Sequence, residues 1–170
     1  PREQTLARDL ARYHGGSFPV VRVVDGDTLH LGVADSAEDG TKVRLIGIDA
    51  PEMGGATGPM YYTAEATAFA RRLALGQRVT TYLDQQAGNR DRYGRLLAYV
   101  QLPDGRFLNE ELLSMGLAYA DLRFKHGYYR KYQGLEAGAR TLKEGLWARV
   151  RPGQMPAWRQ RRMQTESDTN

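Results

Sequence analysis

At 170 residues, with 41% apolar and 26% charged residues, the chain has the size and composition of one ordinary globular domain with its own core. It contains no cysteine, which excludes disulfides, thiolate metal sites and thiol nucleophiles, and no apolar run approaches the length of a membrane helix. A net charge of +4 and a pI of about 9.4 favour an anionic partner, although part of that excess sits at the C-terminal end.

Residues 1–17 read as a polar lead-in carrying Arg2, Arg8 and Arg12, with Leu6 and Leu10 spaced for a short helix. Three strand-like runs follow: Val20–Val24, Thr28–Val33 and Val43–Ile48. Asp25-Gly26 suits a tight hairpin between the first two. The polar stretch Ala34–Gly40 joins the next two, and a hairpin centred near Glu38 sets Asp27 opposite Asp49. The Gly- and Pro-rich segment Met53–Pro59 is a loop beside those carboxylates, either a simple connector or one that adapts to a substrate. A helix is predicted from Thr63, as N-cap, to Leu75, with Gly76 as its stop. Strands are predicted at Arg78–Leu83 and Arg95–Leu102, then a short helix over Glu110–Met115 capped by Asn109. A longer helix runs over Tyr128–Trp147 with Leu135, Ala139, Leu142 and Leu146 on one face. Five short, largely antiparallel strands close most economically as a small barrel. Residues 149–170 are rich in Arg and read as a flexible tail, either solvated or in contact with nucleic acid.

Asp27, Asp49 and Glu52 form a set of oxygen donors at one sheet end, with no Cys or His beside them, and such a set suits a hard cation. Arg44 interrupts an apolar strand leading into that set, which points either to a site or to a salt bridge with one of the carboxylates. His14, His30 and His126 are scattered without metal-ligand spacing and read as bystanders.

From about Phe18 to Ala148 the chain resembles the staphylococcal-nuclease-like (thermonuclease) family. The resemblance is carried by Val23-Val24-Asp25-Gly26-Asp27-Thr28, Arg44-Leu45-Ile46-Gly47-Ile48-Asp49-Ala50-Pro51-Glu52 and Ala64-Glu65-Ala66-Thr67-Ala68-Phe69. Asp91-Arg92-Tyr93-Gly94-Arg95 and Asn109-Glu110 complete it. It implies an α+β fold, a five-stranded OB-fold barrel with about three helices, over residues 18–148. It implies a calcium-dependent phosphodiesterase, an endonuclease acting on DNA and RNA, with single strands preferred and 3′-phosphate and 5′-hydroxyl ends left. Asp27 and Asp49 match the metal carboxylates, the backbone carbonyl of Ala50 matches a further ligand, and Asp25 matches an acidic position that reaches the metal through water. Glu52 matches the proposed general base, with support of its loop as the other role, and Arg44 and Arg95 match two phosphate-binding arginines.

Where a well-known member has two tyrosines packing on the terminal nucleotide, this chain has Leu122 and Phe124. Phe124 keeps a stacking face, and stacking is worth about 1–3 kcal/mol per base. Tyr119 and Tyr128 are further candidates, equally able to serve as packing residues. A monomer is expected, and an exported, periplasmic or cell-surface location if a leader has been removed before Pro1. The competing expectation is an OB-fold module that binds nucleic acid without cutting it. Such a module has no need of Asp27, Asp49, Glu52, Arg44 and Arg95 together. A calcium-stabilised structural domain would explain the carboxylates but not both arginines.

Overall fold

Alternation of apolar and polar residues sets the barrel strands in the computed structural model, which describes residues 2–35, 38–54 and 58–168. In β3 (Thr41–Leu45), Thr41, Val43 and Leu45 point inward, while Lys42 and Arg44 point away. β1 (Gly16–Val23), β2 (Thr28–Leu31), β3, β6 (Leu96–Gln101) and β5 (Arg78–Tyr82) close a barrel in the order β1-β2-β3-β6-β5. The pairs are antiparallel except β3–β6, which is parallel. Val20, Leu29, Leu31, Val43, Leu45, Val79, Leu96, Ala98 and Val100 fill the interior. The fold is α+β around a five-stranded OB-like barrel.

Two helices exceed the expected three. The polar lead-in, where Leu6 and Leu10 are spaced for a short helix, does form one, α1 (Arg2–Tyr13), and it is docked on the barrel. Asp9 is buried and pairs with Arg90 at 2.7 Å, Asn89 donates to the Leu6 carbonyl, and Tyr13 is buried with its hydroxyl 3.0 Å from Thr41 Oγ1. The helix hides one acidic and one aromatic side chain, a face too narrow for composition to reveal. The C-terminal end, predicted to be flexible, carries α5 (Ala157–Asp168), whose Arg159 is buried.

α2 (Thr63–Ala74) lays Ala66, Phe69, Ala70 and Ala74 into the core, much as predicted. Its cap is Tyr62 in the left-handed region, not Thr63. Thr63 Oγ1 instead reaches the carbonyls of Met60 and Glu52, fastening the end of the 53–59 loop, of which Gly55, Ala56 and Thr57 lie outside the described residues. α3 (Leu108–Ser114) begins before Asn109, so that residue does not cap it. Asn109 is wholly buried, accepting from Val100 N–H and donating to the Ile46 carbonyl, which ties α3 to the barrel.

The helix expected over 128–147 ends early. α4 covers Tyr129–Thr141, Lys143 takes a left-handed φ of 55°, and Gly145–Ala148 form a 3₁₀ turn. Leu146 N–H then donates to the Gly116 carbonyl, so the chain turns back before Leu142 can join the buried face, and Leu142 is left 72% exposed. The buried face is Tyr132, Glu136 and Ala139. No described helix is long and apolar enough to cross a membrane.

Candidate active site

The β2–β3 register differs from the expected one by four residues. Thr28 faces Arg44, so Asp27 lies opposite Leu45, whose N–H donates to the Asp27 carbonyl at 2.9 Å. The expected centre at Glu38 followed from runs ending at Val33 and starting at Val43, whereas β2 ends at Leu31 and β3 starts at Thr41; the third run was also expected to continue to Ile48. Instead β3 stops at Leu45, and the chain turns through Ile46-Gly47 into a separate strand, β4 (Ile48–Asp49), which pairs with β7 (Tyr119–Ala120). Gly47 has φ +75°, and a Cβ there would fall 2.4 Å from His126, so this turn requires glycine. Asp27 and Asp49 therefore meet through a corner, not across a hairpin. Gly26 completes the approach: a Cβ there would stand 2.7 Å from that of Ala50, so the β1–β2 turn can lie against the Ala50 segment only without a side chain.

Arg44 is the hub. Its Nη1 donates to the carbonyls of Leu45 and Ile48 at 2.8 and 2.7 Å, bracing the corner from inside. Its Nη2 reaches Asp27 Oδ2 at 3.2 Å and Asp49 Oδ1 at 3.0 Å, so both carboxylates share one guanidinium nitrogen. The salt-bridge reading of Arg44 holds, with two carboxylates rather than one. Asp27 Oδ2 also accepts from Ala50 N–H at 2.6 Å, and its Oδ1 from Thr28 Oγ1 at 3.1 Å. Asp25 Oδ1 accepts from Asp27 N–H at 3.1 Å, which fixes the turn carrying Asp27.

Arg95 approaches from another loop. Asp91 Oδ2 accepts from its Nε at 2.7 Å, and its Nη1 lies 3.4 Å from Thr28 Oγ1, the hydroxyl bound to Asp27. The turn 91–95 is fixed from within, because Asp91 Oδ1 also accepts from the N–H groups of Tyr93 and Arg95. Glu52 is exposed; its carbonyl accepts from Met60 N–H and Thr63 Oγ1, while its carboxylate accepts no hydrogen bond among the described residues. It is held and unspent.

All three carboxylates, of Asp27, Asp49 and Glu52, are raised in proton affinity, first of all by burial. Burial pushes Asp27 up from 3.8 to about 6, with Arg44 opposing and Asp25 adding to the rise. Asp49 is raised by burial, against Arg44 and a hydrogen bond from Trp158. Glu52 is raised by burial and then by the charges of Asp49 and Asp27. Carboxylates withdrawn from water beside one another gain from a nearby cation, which stabilises their charged forms. The donors are carboxylate and carbonyl oxygens, which fit calcium or magnesium and not zinc or copper. Among the described residues no three His, Cys, Asp or Glu side chains stand close enough to form an all-side-chain metal cage. A cation here would thus depend on two carboxylates supplemented by backbone oxygen and water.

The three aromatic candidates part company. Tyr119 is fully buried, edge-on to Trp147 at 5.3 Å, and has no face to offer a base. Its position in β7, under α4, was not visible from spacing. Phe124 is 64% exposed beside Arg123, which itself reaches Asp49 Oδ1 at 3.3 Å. Tyr128 is 41% exposed and packs edge-on against Tyr99. Sequence reasoning passed over Tyr93, which is 68% exposed with the Arg95 guanidinium 5.6 Å from its ring. It also passed over Arg123 and over Trp158, whose indole N–H donates to Asp49 Oδ2 at 2.7 Å. The one available signal was a tryptophan after Pro156 in an otherwise polar tail, a residue seldom left in water. His14 accepts from Leu83 N–H and His126 pairs with Tyr99, both as packing histidines.

A family model described as "Staphylococcal nuclease homologue" matches residues 42–149. The chain is 36% identical over 141 residues to a protein named thermonuclease from Staphylococcus hyicus, covering 82% of this chain and 80% of that one. It is 35% identical over 149 residues to an uncharacterized endonuclease of Escherichia coli O157:H7, covering 84% of each. It is 32% identical over 145 residues to endonuclease YhcR of Bacillus subtilis, covering 75% of this chain and 11% of that much longer one.

Proposed function

Because the chain belongs to the staphylococcal nuclease family, we propose that it is a calcium-dependent nuclease hydrolysing phosphodiester bonds of DNA and RNA, with 3′-phosphate and 5′-hydroxyl ends as products and single strands preferred. The observation that carries the reading is the convergence of Asp27 and Asp49 on one nitrogen of Arg44, with Thr28 linking Asp27 to Arg95.

A phosphodiester is anionic and repels a nucleophile, so hydrolysis calls for neutralisation of charge, an activated water and a stabilised leaving group. A bound calcium ion would supply charge neutralisation and orientation of water. Asp27, Asp49 and the carbonyl of Ala50 would hold it, with Asp25 assisting through water. Glu52, with a free carboxylate of raised proton affinity, accepts the proton of the attacking water. Arg95 presents its fork to the phosphate oxygens while Asp91 fixes the orientation of that fork. Arg44, already committed to two carboxylates and two carbonyls, keeps the carboxylates in register and lends its positive charge to the negative charge that accumulates in the transition state. Phe124 offers a face for a base next to the cationic Arg123.

The test is cleavage of single-stranded DNA by the purified chain with calcium, with a chelator, and with Glu52→Gln. Calcium-dependent cutting that collapses in the variant is the expected result. Binding without cutting would mark a nucleic-acid-binding module instead. Cutting indifferent to both calcium and Glu52 would remove these residues from the mechanism.

A further inference from the structure

Asp49 is held by three side chains, Arg44, Arg123 and Trp158, and the last of them lies 109 residues away in the chain. The indole N–H of Trp158, half-buried at the start of α5, donates to Asp49 Oδ2 at 2.7 Å. The segment that delivers it is docked. Pro156 is buried, and Arg159 is buried in a two-point pair with Glu136 of α4 at 2.8 and 2.5 Å. Glu136 Oε2 also accepts from Ala120 N–H, and Ala120 pairs with Ile48, the residue before Asp49. One anchor of α5 thus grips the strand beside β4, and its neighbouring side chain grips the carboxylate at the end of β4. Arg123 lies over the Trp158 ring at 5.1 Å and closes the group.

The chemistry of the donor is informative. Asp49 Oδ1 is already engaged by the guanidinium groups of Arg44 and Arg123 at 3.0 and 3.3 Å, and a third cationic donor on Oδ2 would leave neither oxygen open to a metal cation. An indole N–H is a donor without charge: it occupies one lone-pair direction of Oδ2, fixes the plane of the carboxylate, and leaves the other lone pair of that oxygen for a cation. Packing alone would not require the Trp158 N–H to meet a carboxylate.

We propose that Trp158 is a positioning residue of the active site, its indole N–H orienting Asp49 for cation binding, and that residues 155–159 dock in order to place it. This rests on the reading of Asp49 as a metal ligand, so the test has a part that needs no metal.

The full-length chain, wild type and Trp158→Phe, is titrated with calcium chloride by calorimetry without substrate. The two indole N–H signals, assigned with Trp147→Phe, are followed by NMR. Weakening of calcium binding by about 10-fold or more in Trp158→Phe, with an unchanged melting temperature and a calcium-dependent shift of the Trp158 signal but not of the Trp147 signal, is the expected result. Equal affinities, or a Trp158 signal blind to bound calcium, would overturn the inference. If Trp158→Phe fails to fold, the wild-type NMR titration decides alone. A wild type that binds no calcium overturns the calcium reading separately. The Trp158 signal must then shift in metal-free Asp49→Ala, and its failure to do so would overturn the indole contact itself.

Discussion

Arg44 donates to the carbonyl of Ile48 at 2.7 Å, so the side chain that gathers the two carboxylates also ties down the backbone that delivers the second of them. Arg95 has no such second duty: its partners are Asp91, four residues away, and a Thr28 hydroxyl at long range. The two arginines should therefore separate on substitution. Arg95→Lys keeps charge but loses the fork, and its activity should fall by about 10²–10³ with the melting temperature almost unchanged. Arg44→Lys should lose activity and also about 1–3 kcal/mol of stability, as buried carbonyls lose their donor. Calorimetry and initial rates on both proteins check the split; equal melting temperatures would show that Arg44 does not brace the corner.

Asn109 is expected to matter for stability although it stands away from the carboxylates. Its side chain accepts from Val100 N–H and donates to the Ile46 carbonyl, wholly out of water. Asn109→Leu should cost at least about 2 kcal/mol, because two buried backbone groups lose partners that water cannot replace. Urea denaturation should show this as a lower midpoint with an unchanged slope.

His126 should set a pH dependence of stability. Tyr99 has one hydroxyl proton and gives it to Asp84 at 2.6 Å, so the contact between Tyr99 and His126 Nδ1 at 2.9 Å requires Nδ1–H to be the donor. Burial holds the imidazole below its ordinary 6.5, against the opposing charges of Asp84 and Asp121. As pH falls through 6.5 the unfolded chain gains a proton that the folded chain resists, so this contribution is intact above 6.5 and declines below it. His126→Gln should lose less stability than wild type between pH 8 and pH 5.5. Parallel stability curves for the two proteins would contradict this.

The buried pair Arg159–Glu136 gives an asymmetric expectation. Arg159→Met leaves Glu136 charged in the interior and should cost about 3–5 kcal/mol. Adding Glu136→Gln should recover part of that loss, since a neutral amide is cheaper to bury and can still reach toward Ala120 N–H. A double variant less stable than Arg159→Met alone would mean that the pair contributes mainly through shape.

The barrel strands, α2 and the carboxylates were legible because they follow from local rules: period-two alternation, a small-residue helical face, and acidic residues at strand ends. The corner at Gly47 was not, because Ile46-Gly47-Ile48 reads as a strand with a glycine in it, and only the packing of His126 and the bracing by Arg44 turn it into a bend. Tyr119 could be named from sequence but not placed, since its burial depends on β7 pairing with β4 far upstream. Trp158 was missed for a different reason. A run of arginines dominates the composition of the tail, while the docking is done by Pro156, Trp158 and the single buried arginine, Arg159.

The parallel seam between β3 and β6 has a consequence in time. It aligns Arg44 with Leu97, residues far apart in the chain, and Arg95 stands at the entry to β6. Contacts of such long range form late, after the entropy of the intervening loop has been overcome. Arg44 finds its partners within residues 27–49, but Arg95 does not come beside Thr28 until the seam closes. A chain still being synthesised, or one caught half-folded, would carry the acidic residues and Arg44 without Arg95 beside them, so the site would stay incomplete until the barrel closes.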